Sequence, residues 1–485
     1  MVVLIPSMST LPPRLTLAAT LSCMALLASC VSVPRAPVRY VITEHGAVGD
    51  GAAVNTKAIQ GTIDACSAAG GGVIVVPKGV FLSGALFFKP GVDLELQKDA
   101  VLKSTTAMAD FPPVYTNWEG IERYWTSAFL NFIGVKDVVV SGEGMIDGSG
   151  LSWPGSGPRP RTAGARRPPP PPAPAAGPLP KPEEVYPKPL PTTAAINFAP
   201  DPAHLPPINA AGIFLPGGAG RLSPPRAIVF QDCTNVRVSG VHLKNEARWG
   251  FVFINCRGVV AENLTVHIDQ YIPSSDGMDV CSCQDVRISG CDIFCTDDDI
   301  TIKAGKDEDG LRLNRPSENI TISDCTFRSG AGVAMGSEVS GSIRHVLVQR
   351  CKFIGSSSAA RIKSQPSRGG VIEDIVFRDI QFTDVGRAID FDLQWRMVPP
   401  IAPAAKVLTA VHKVRLINFT GTAQSVGVIQ GFKDSPFEDV TFDHCQVTAK
   451  RGLLLSNVGN LNMFGIELKV AEGKPILHPG DAAQP

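Results

Sequence analysis

Short alternating runs of apolar and polar residues recur from Val135 onward, each followed by a turn and a second alternating run. KDVVVSGEGMIDGSG, TNVRVSGVHLKN, RGVVAENLTVHI and QDVRISGCDIFC show the unit. ENITISDCTFRSG, RHVLVQRCKFIGS, EDIVFRDIQFTDV, HKVRLINFTGTA, EDVTFDHCQVTA and LNMFGIELKVA continue it. Alternation with a period of two marks strands buried on one face. A single unit has no core of its own, but stacked units bury a continuous one. The series predicts an all-β chain, a right-handed parallel β-helix. A β-propeller would need longer antiparallel blades and more regular turns.

Upstream, residues 38–150 read as an N-terminal cap and the first coils. Ile59, Ile63 and Cys66 recur at helical spacing after Asn55, a candidate N-cap, and Gly70, Gly71 and Gly72 end the run. This predicts a short helix covering the open end of the stack, where bare strand edges invite aggregation. Residues 152–225 break the pattern with RRPPPPPAPAAGPLPKP and read as a Pro-rich, flexible insertion. The main helix then runs over 226–472, and 473–485 reads as a tail.

Residues 1–30 look like an export signal: Arg14 precedes an apolar run too short to span a bilayer. The run ends in Leu27-Ala28-Ser29-Cys30, which resembles a bacterial lipobox with Cys30 as the lipidated residue. The expectation is export, as a periplasmic or outer-membrane lipoprotein or a secreted protein. Several later cysteines occupy one place in the repeat (CTNV, CRGV, CQDV), which suggests inward-facing free thiols and not cross-links. No metal site is expected from Cys281 and Cys283, whose spacing is too short for zinc. Forty-five basic residues cancel 45 acidic ones, so no global field favours nucleic acid. An anionic ligand would have to be recognised by a few placed cations.

The candidate chemistry lies between Ser274 and Lys303. Asp276 and Asp297 are 297 − 276 = 21 residues apart, about one coil, and Asp298 and Asp299 follow. Carboxyls on adjacent coils, about 4.8 Å apart along the stack, cannot all ionise freely. A protonated acid beside a carboxylate base is the pair that glycosidic hydrolysis needs. Alone, each Asp could equally cap a turn. Arg361 and Lys363 alternate on one strand face two coils further on, where two cations would suit a uronic acid carboxylate. Lys306 to Gly310 lacks the ligand spacing of a calcium loop and reads as a solvated insertion.

Taken together, GAVGDGAAVNTKAIQGTIDAC, GGGVIVVPKG, GEGMIDGSG and three motifs resemble glycoside hydrolase family 28, the polygalacturonase-like enzymes. The motifs are Ser274-Ser275-Asp276, Asp297-Asp298 and Arg361-Ile362-Lys363. The resemblance implies an inverting hydrolase of galacturonate-containing pectic polysaccharide, needing no cofactor and acting as a monomer. It makes Asp297 the general acid, gives Asp276 and Asp298 the attacking water, and gives Arg361 and Lys363 the substrate carboxylate. Two positions depart from the family pattern. Ala331 stands where the family has histidine, which raises rhamnogalacturonan as an alternative substrate. Trp395 is the nearest aromatic where a tyrosine is expected. Two further readings remain open on the residues alone: a polysaccharide lyase, and a non-catalytic carbohydrate-binding β-helix.

Overall fold

The computed structural model describes residues 37–153, 224–268, 272, 274–395 and 404–480. Cys30 and most of the Pro-rich insertion lie outside the described residues. The chain divides into Met1–Val38 and a larger unit, Arg39–Pro485, which carries the fold.

Apart from one hairpin and one isolated bridge, the described strands of that unit pair in parallel with the coils before and after them. Three ladders result. The first holds Leu130–Ile133, Ile228–Gln231, Phe251–Ile254, Met278–Cys281, Ile300–Lys303, Val333–Met335 and Ser358–Lys363. The second runs from Lys136–Gly142 through Thr234–Ser239, Arg257–Glu262 and Gln284–Ser289 to Ser317–Ser323 and Ile343–Gln349. The third includes Met145–Asp147, His242–Lys244, Thr265–His267 and Asp292–Phe294. The chain visits each ladder once per coil, and right-handed crossover between parallel strands makes this a right-handed parallel β-helix.

In-register pairing places like over like. Phe88, Phe132, Phe230 and Phe253 form an inner column with centroids 4.2, 4.7 and 5.3 Å apart. The ten described cysteines are all buried and free. Corners need left-handed backbone, supplied by Asp232, Asn255 and Asn263, whose short polar side chains tolerate it. The insertion leaves and returns inside one coil. Lys136–Gly142 pairs directly with Thr234–Ser239, and Met145–Asp147 with His242–Lys244.

The predicted helix is Thr56–Ala68, with Ile59, Ile63 and Cys66 buried against the first coils. Asn55 does not cap it. Its side chain accepts from Val48 N at 2.7 Å and donates to Val48 O and Ala53 O, so it braces the preceding turn instead. At the other end of the stack, Ile476–Leu477 still pairs with Leu453–Leu454, so the coils continue into the segment expected to be tail. Asp307–Leu313 is a short helix and not a solvated loop. Fully buried Arg368 bonds Asp307, and Asp309 accepts from Glu122 N and pairs with Arg312.

One element is absent from the repeat series. Pro113–Trp118 and Ile121–Thr126 form an antiparallel hairpin outside the tube. Outward-facing Val229, Val252, Ile254 and Cys281, with Ala128 and Trp249, form a second apolar cluster on the first ladder. The hairpin joins this patch through Trp118, stacked 5.2 Å from Trp249 and 4.9 Å from Trp125. Arg226, fully buried, locks it there by donating to Asn117 O and Thr116 Oγ.

Candidate active site

Alternation along the first ladder decides which side chains leave the core. Met278, Val280, Ile300, Ile302, Ala360 and Ile362 point inward. Their neighbours Asp279, Thr301, Lys303, Arg361 and Lys363 therefore face out. Just before these strands the chain turns out of the third ladder, and Asp276, Asp297 and Asp298 sit on that corner. Gly277 N donates to Asp298 O at 3.0 Å, so Asp276 and Asp298 occupy matching places on adjacent coils. Arg361 and Lys363 both reach Asp298, so the structure brings the basic pair to this corner.

Each acid has a different surrounding. Asp298 is buried; Arg361 donates to its Oδ1 at 3.0 Å and Lys363 to its Oδ2 at 2.5 Å. Burial opposes its charge, but Lys363 and Arg361 outweigh burial and hold its pKa below the usual carboxylate value. Asp297, half-buried, accepts from Asp298 N through Oδ1 at 3.0 Å. Burial first, and then the charge on Asp298, raise its pKa, against the pull of Lys363, Lys303 and Arg361. Two neighbouring carboxyls are thus pushed in opposite directions, the pattern that suits one to act as acid and the other as base.

Asp276 is buried, and Lys303 Nζ donates to its Oδ2 at 3.2 Å. Burial drives its pKa well up; Lys303 pulls it back, and Asp279, Asp297 and Asp298 push it further up. Arg361 Nε also lies 3.2 Å from Asp390. Lys363 Nζ sits 5.3 Å from the ring centroid of half-buried Trp395, which brings that aromatic to the same groove. Ala331 is buried, and its N–H donates to Asp297 O at 2.7 Å, so the backbone there supports the acid where the family histidine would stand.

Asp299 turns away from the others. Fully buried, it accepts from Gly332 N at 2.9 Å and from the Cys295 thiol at 3.4 Å. Burial lifts its pKa well above the usual range. It is a core group that ties two coils together. Gly332 is required beside it: its φ is +81°, and a Cβ would stand 2.2 Å from Ser358 O. Gly332→Ala is expected to cost about 1–3 kcal/mol, read as a fall in the urea midpoint. An unchanged midpoint would contradict the tight packing of this corner.

Sequence reasoning missed Asp279, Lys303, Glu338 and Trp249. Lys303 donates to Asp279 Oδ1 at 2.6 Å, lies 3.7 Å from Glu338, and stands 3.7 Å from the Trp249 ring centroid. The available signal was charge at outward positions of strands otherwise apolar, MDVC and ITIK. A separate groove of about 720 Å³ runs over the second ladder past Arg237, Arg287, Thr321 and His345, and carries none of these acids.

Residues 218–463 match the family model "Glycosyl hydrolases family 28". The chain is 25% identical over 348 residues to a probable polygalacturonase of Vitis vinifera, covering 70% of this chain and 59% of that protein. It is 27% identical over 351 residues to an exo-poly-alpha-D-galacturonosidase of Dickeya chrysanthemi, covering 70% and 54% respectively. The chain therefore spans less than two thirds of the length of these two relatives. Among solved structures, a hyperthermoactive exopolygalacturonase from Thermotoga maritima superposes with a TM-score of 0.68 at 24% identity, covering 89% of this chain and 94% of that one. With its match extending over half of the sequence and the motif residues gathered on one face of the coil, this chain belongs to glycosyl hydrolase family 28.

Proposed function

We propose that the protein is an inverting glycoside hydrolase that cleaves galacturonate-containing pectic chains from one end. The observation that carries this reading is the unequal contacts of three neighbouring carboxyls: Arg361 and Lys363 both clamp Asp298, Asp297 accepts from Asp298 N, and Asp276 accepts from Lys303. Asp297, its Oδ1 occupied by Asp298 N, keeps a proton on Oδ2 and gives it to the departing glycosidic oxygen. Water held by Asp276 and Asp298 attacks the anomeric carbon from the other face and yields its proton to a carboxylate. Arg361 and Lys363 have more donors than Asp298 uses, so both can also bind a uronate carboxylate. Trp395 offers a ring for sugar stacking.

End-wise action is favoured by the hairpin. It lies over the first ladder just before the acids, with Trp118 on Trp249, and Lys306 N donates to Gly120 O at 3.0 Å. A chain threading past the acids would meet this wall on one side. The N-terminal segment with Cys30 supports export and anchoring by lipid, which fits a substrate met outside the cytoplasm.

Product analysis by mass spectrometry on homogalacturonan and rhamnogalacturonan oligomers tests the reading. Hydrolysis from an end gives one short saturated product from the earliest times. A ladder of sizes would remove the end-wise claim. An unsaturated product absorbing in the near ultraviolet would replace hydrolysis by elimination. Release from rhamnogalacturonan alone would make that polymer the substrate and give Ala331 the reason.

A further inference from the structure

We propose that Asp276 is the carboxylate that accepts the proton of the attacking water, and that Lys303 is the positioning residue that keeps it fixed and available for this. The inference rests on the hydrolase reading and divides labour between two acids that reading leaves equivalent.

Asp298 is clamped through both oxygens, Oδ1 by Arg361 and Oδ2 by Lys363. A carboxylate so held stays charged, but its low proton affinity makes it a weak base. Its service is to fix the water and to keep Asp297 protonated. Among the described residues Asp276 has one side-chain donor, Lys303 Nζ on Oδ2 at 3.2 Å, and Oδ1 has no such clamp. It is the stronger base of the two whenever it is ionised. The proton balance follows: the O–H bond of water breaks toward Asp276, the water oxygen bonds the anomeric carbon as the glycosidic C–O bond breaks, and Asp297 gives its proton to the leaving oxygen.

The obstacle is burial, which by itself would keep Asp276 protonated and useless as a base. Lys303 is the cation that opposes this rise, although burial and the neighbouring acids still hold the Asp276 pKa well up, and the structure holds the amine in place. Its ammonium donates to Asp279 Oδ1 at 2.6 Å, lies 3.7 Å from Glu338 Oε2, and stands 3.7 Å from the centroid of Trp249. Trp249 in turn is stacked on Trp118 of the hairpin. Burial disfavours the charge on Lys303, but Asp279, Glu338 and Asp276 outweigh it, so the ammonium stays protonated. The titratable groups facing Asp276 include Lys303, Asp279, Asp297, Asp298 and the Cys295 thiol; those facing Lys303 also include Glu338 and Cys281. Neither Asp279 nor Glu338 lies on the corner with the acids. Their place is around the amine, which gives them a reason to be buried that no sugar contact supplies.

The test pairs kinetics with a titration that needs no turnover. In Lys303→Met, the acid limb of the kcat/KM profile on a pectic oligomer is expected to move up by about 1–3 pH units, while Lys303→Arg keeps it near wild type. The Asp276 carboxyl carbon, labelled with carbon-13 and assigned through Asp276→Asn, is expected to titrate upward by a similar shift in Lys303→Met. Asp279→Asn removes a competing anion and should move both readings down, which serves if Lys303→Met does not fold. A Lys303→Met limb that coincides with wild type, or an Asp276 midpoint that stays put in both variants, overturns the assignment. A purely structural lysine would lower the rate at every pH alike. A wild type that cleaves no pectic oligomer, while the Asp276 midpoint still follows Lys303, ends the hydrolase reading but supports the coupling.

Discussion

Asp297→Asn is expected to lower kcat on a pectic oligomer by about 10²–10⁴-fold, the usual worth of a positioned general acid. The substitution keeps size and the hydrogen bond from Asp298 N to the side-chain oxygen, but it removes the transferable proton. Binding should change far less than turnover, because the charged partners Arg361 and Lys363 contact Asp298 and not Asp297. The matched control is Asp299→Asn. That side chain accepts from Gly332 N and lies in the core, so its amide form should leave the rate within a few-fold of wild type. Initial rates of reducing-end release measure both. Equal release by wild type and Asp297→Asn would remove the acid from Asp297, and a collapse in Asp299→Asn would mean that the corner itself had been misassigned.

Lys363→Met should damage activity and stability together. It strips the Asp298 Oδ2 partner and leaves a buried carboxylate with Arg361 alone. Breaking one side of a buried ion pair costs about 3–5 kcal/mol, and the surviving Arg361 places this case at the lower end. The sign with pH follows from the lowered pKa of Asp298. A carboxyl depressed in the folded state adds stability above its unfolded value, about 3.9, and loses it as pH falls through the folded value. The stability gap between wild type and variant should therefore be widest at neutral pH and close in acid. Urea midpoints across that range decide it. A gap that stays constant into acid would mean the lysine contributes packing and not charge. Activity should fall over the whole profile if, as proposed, Asp298 holds the attacking water and Lys363 also meets the substrate carboxylate.

What the sequence made legible was periodicity. Ile300 and Ile302, like Ala360 and Ile362, alternate with polar neighbours, and alternation by itself sends Arg361 and Lys363 outward. Coil length set Asp276 about one coil from Asp297, and the strand register then places Asp276 opposite the next residue, Asp298. The Lys303 cluster was not legible, because its members come from separate strands and from a loop. Asp279, Lys303 and Glu338 each look like an isolated charge until the coils are superposed. The hairpin Pro113–Trp118 and Ile121–Thr126 escaped for another reason. Its aromatic residues bury against the outside of the tube, so its pattern belongs to no coil. Asn55 shows a local rule yielding to a competing bond: Val48 and Ala53 offered better partners than the helix end.

The coil into which residues 154–223 are spliced closes on itself without them. Leu130 already pairs with Ile228, Lys136 with Thr234 and Met145 with His242, so the register before the splice is the register after it. In such a scaffold the length of chain between rungs is decoupled from the spacing of the rungs. A family built this way can acquire or discard whole segments at a coil boundary while the ledge that carries Asp276, two rungs further along, keeps its ångström-scale geometry.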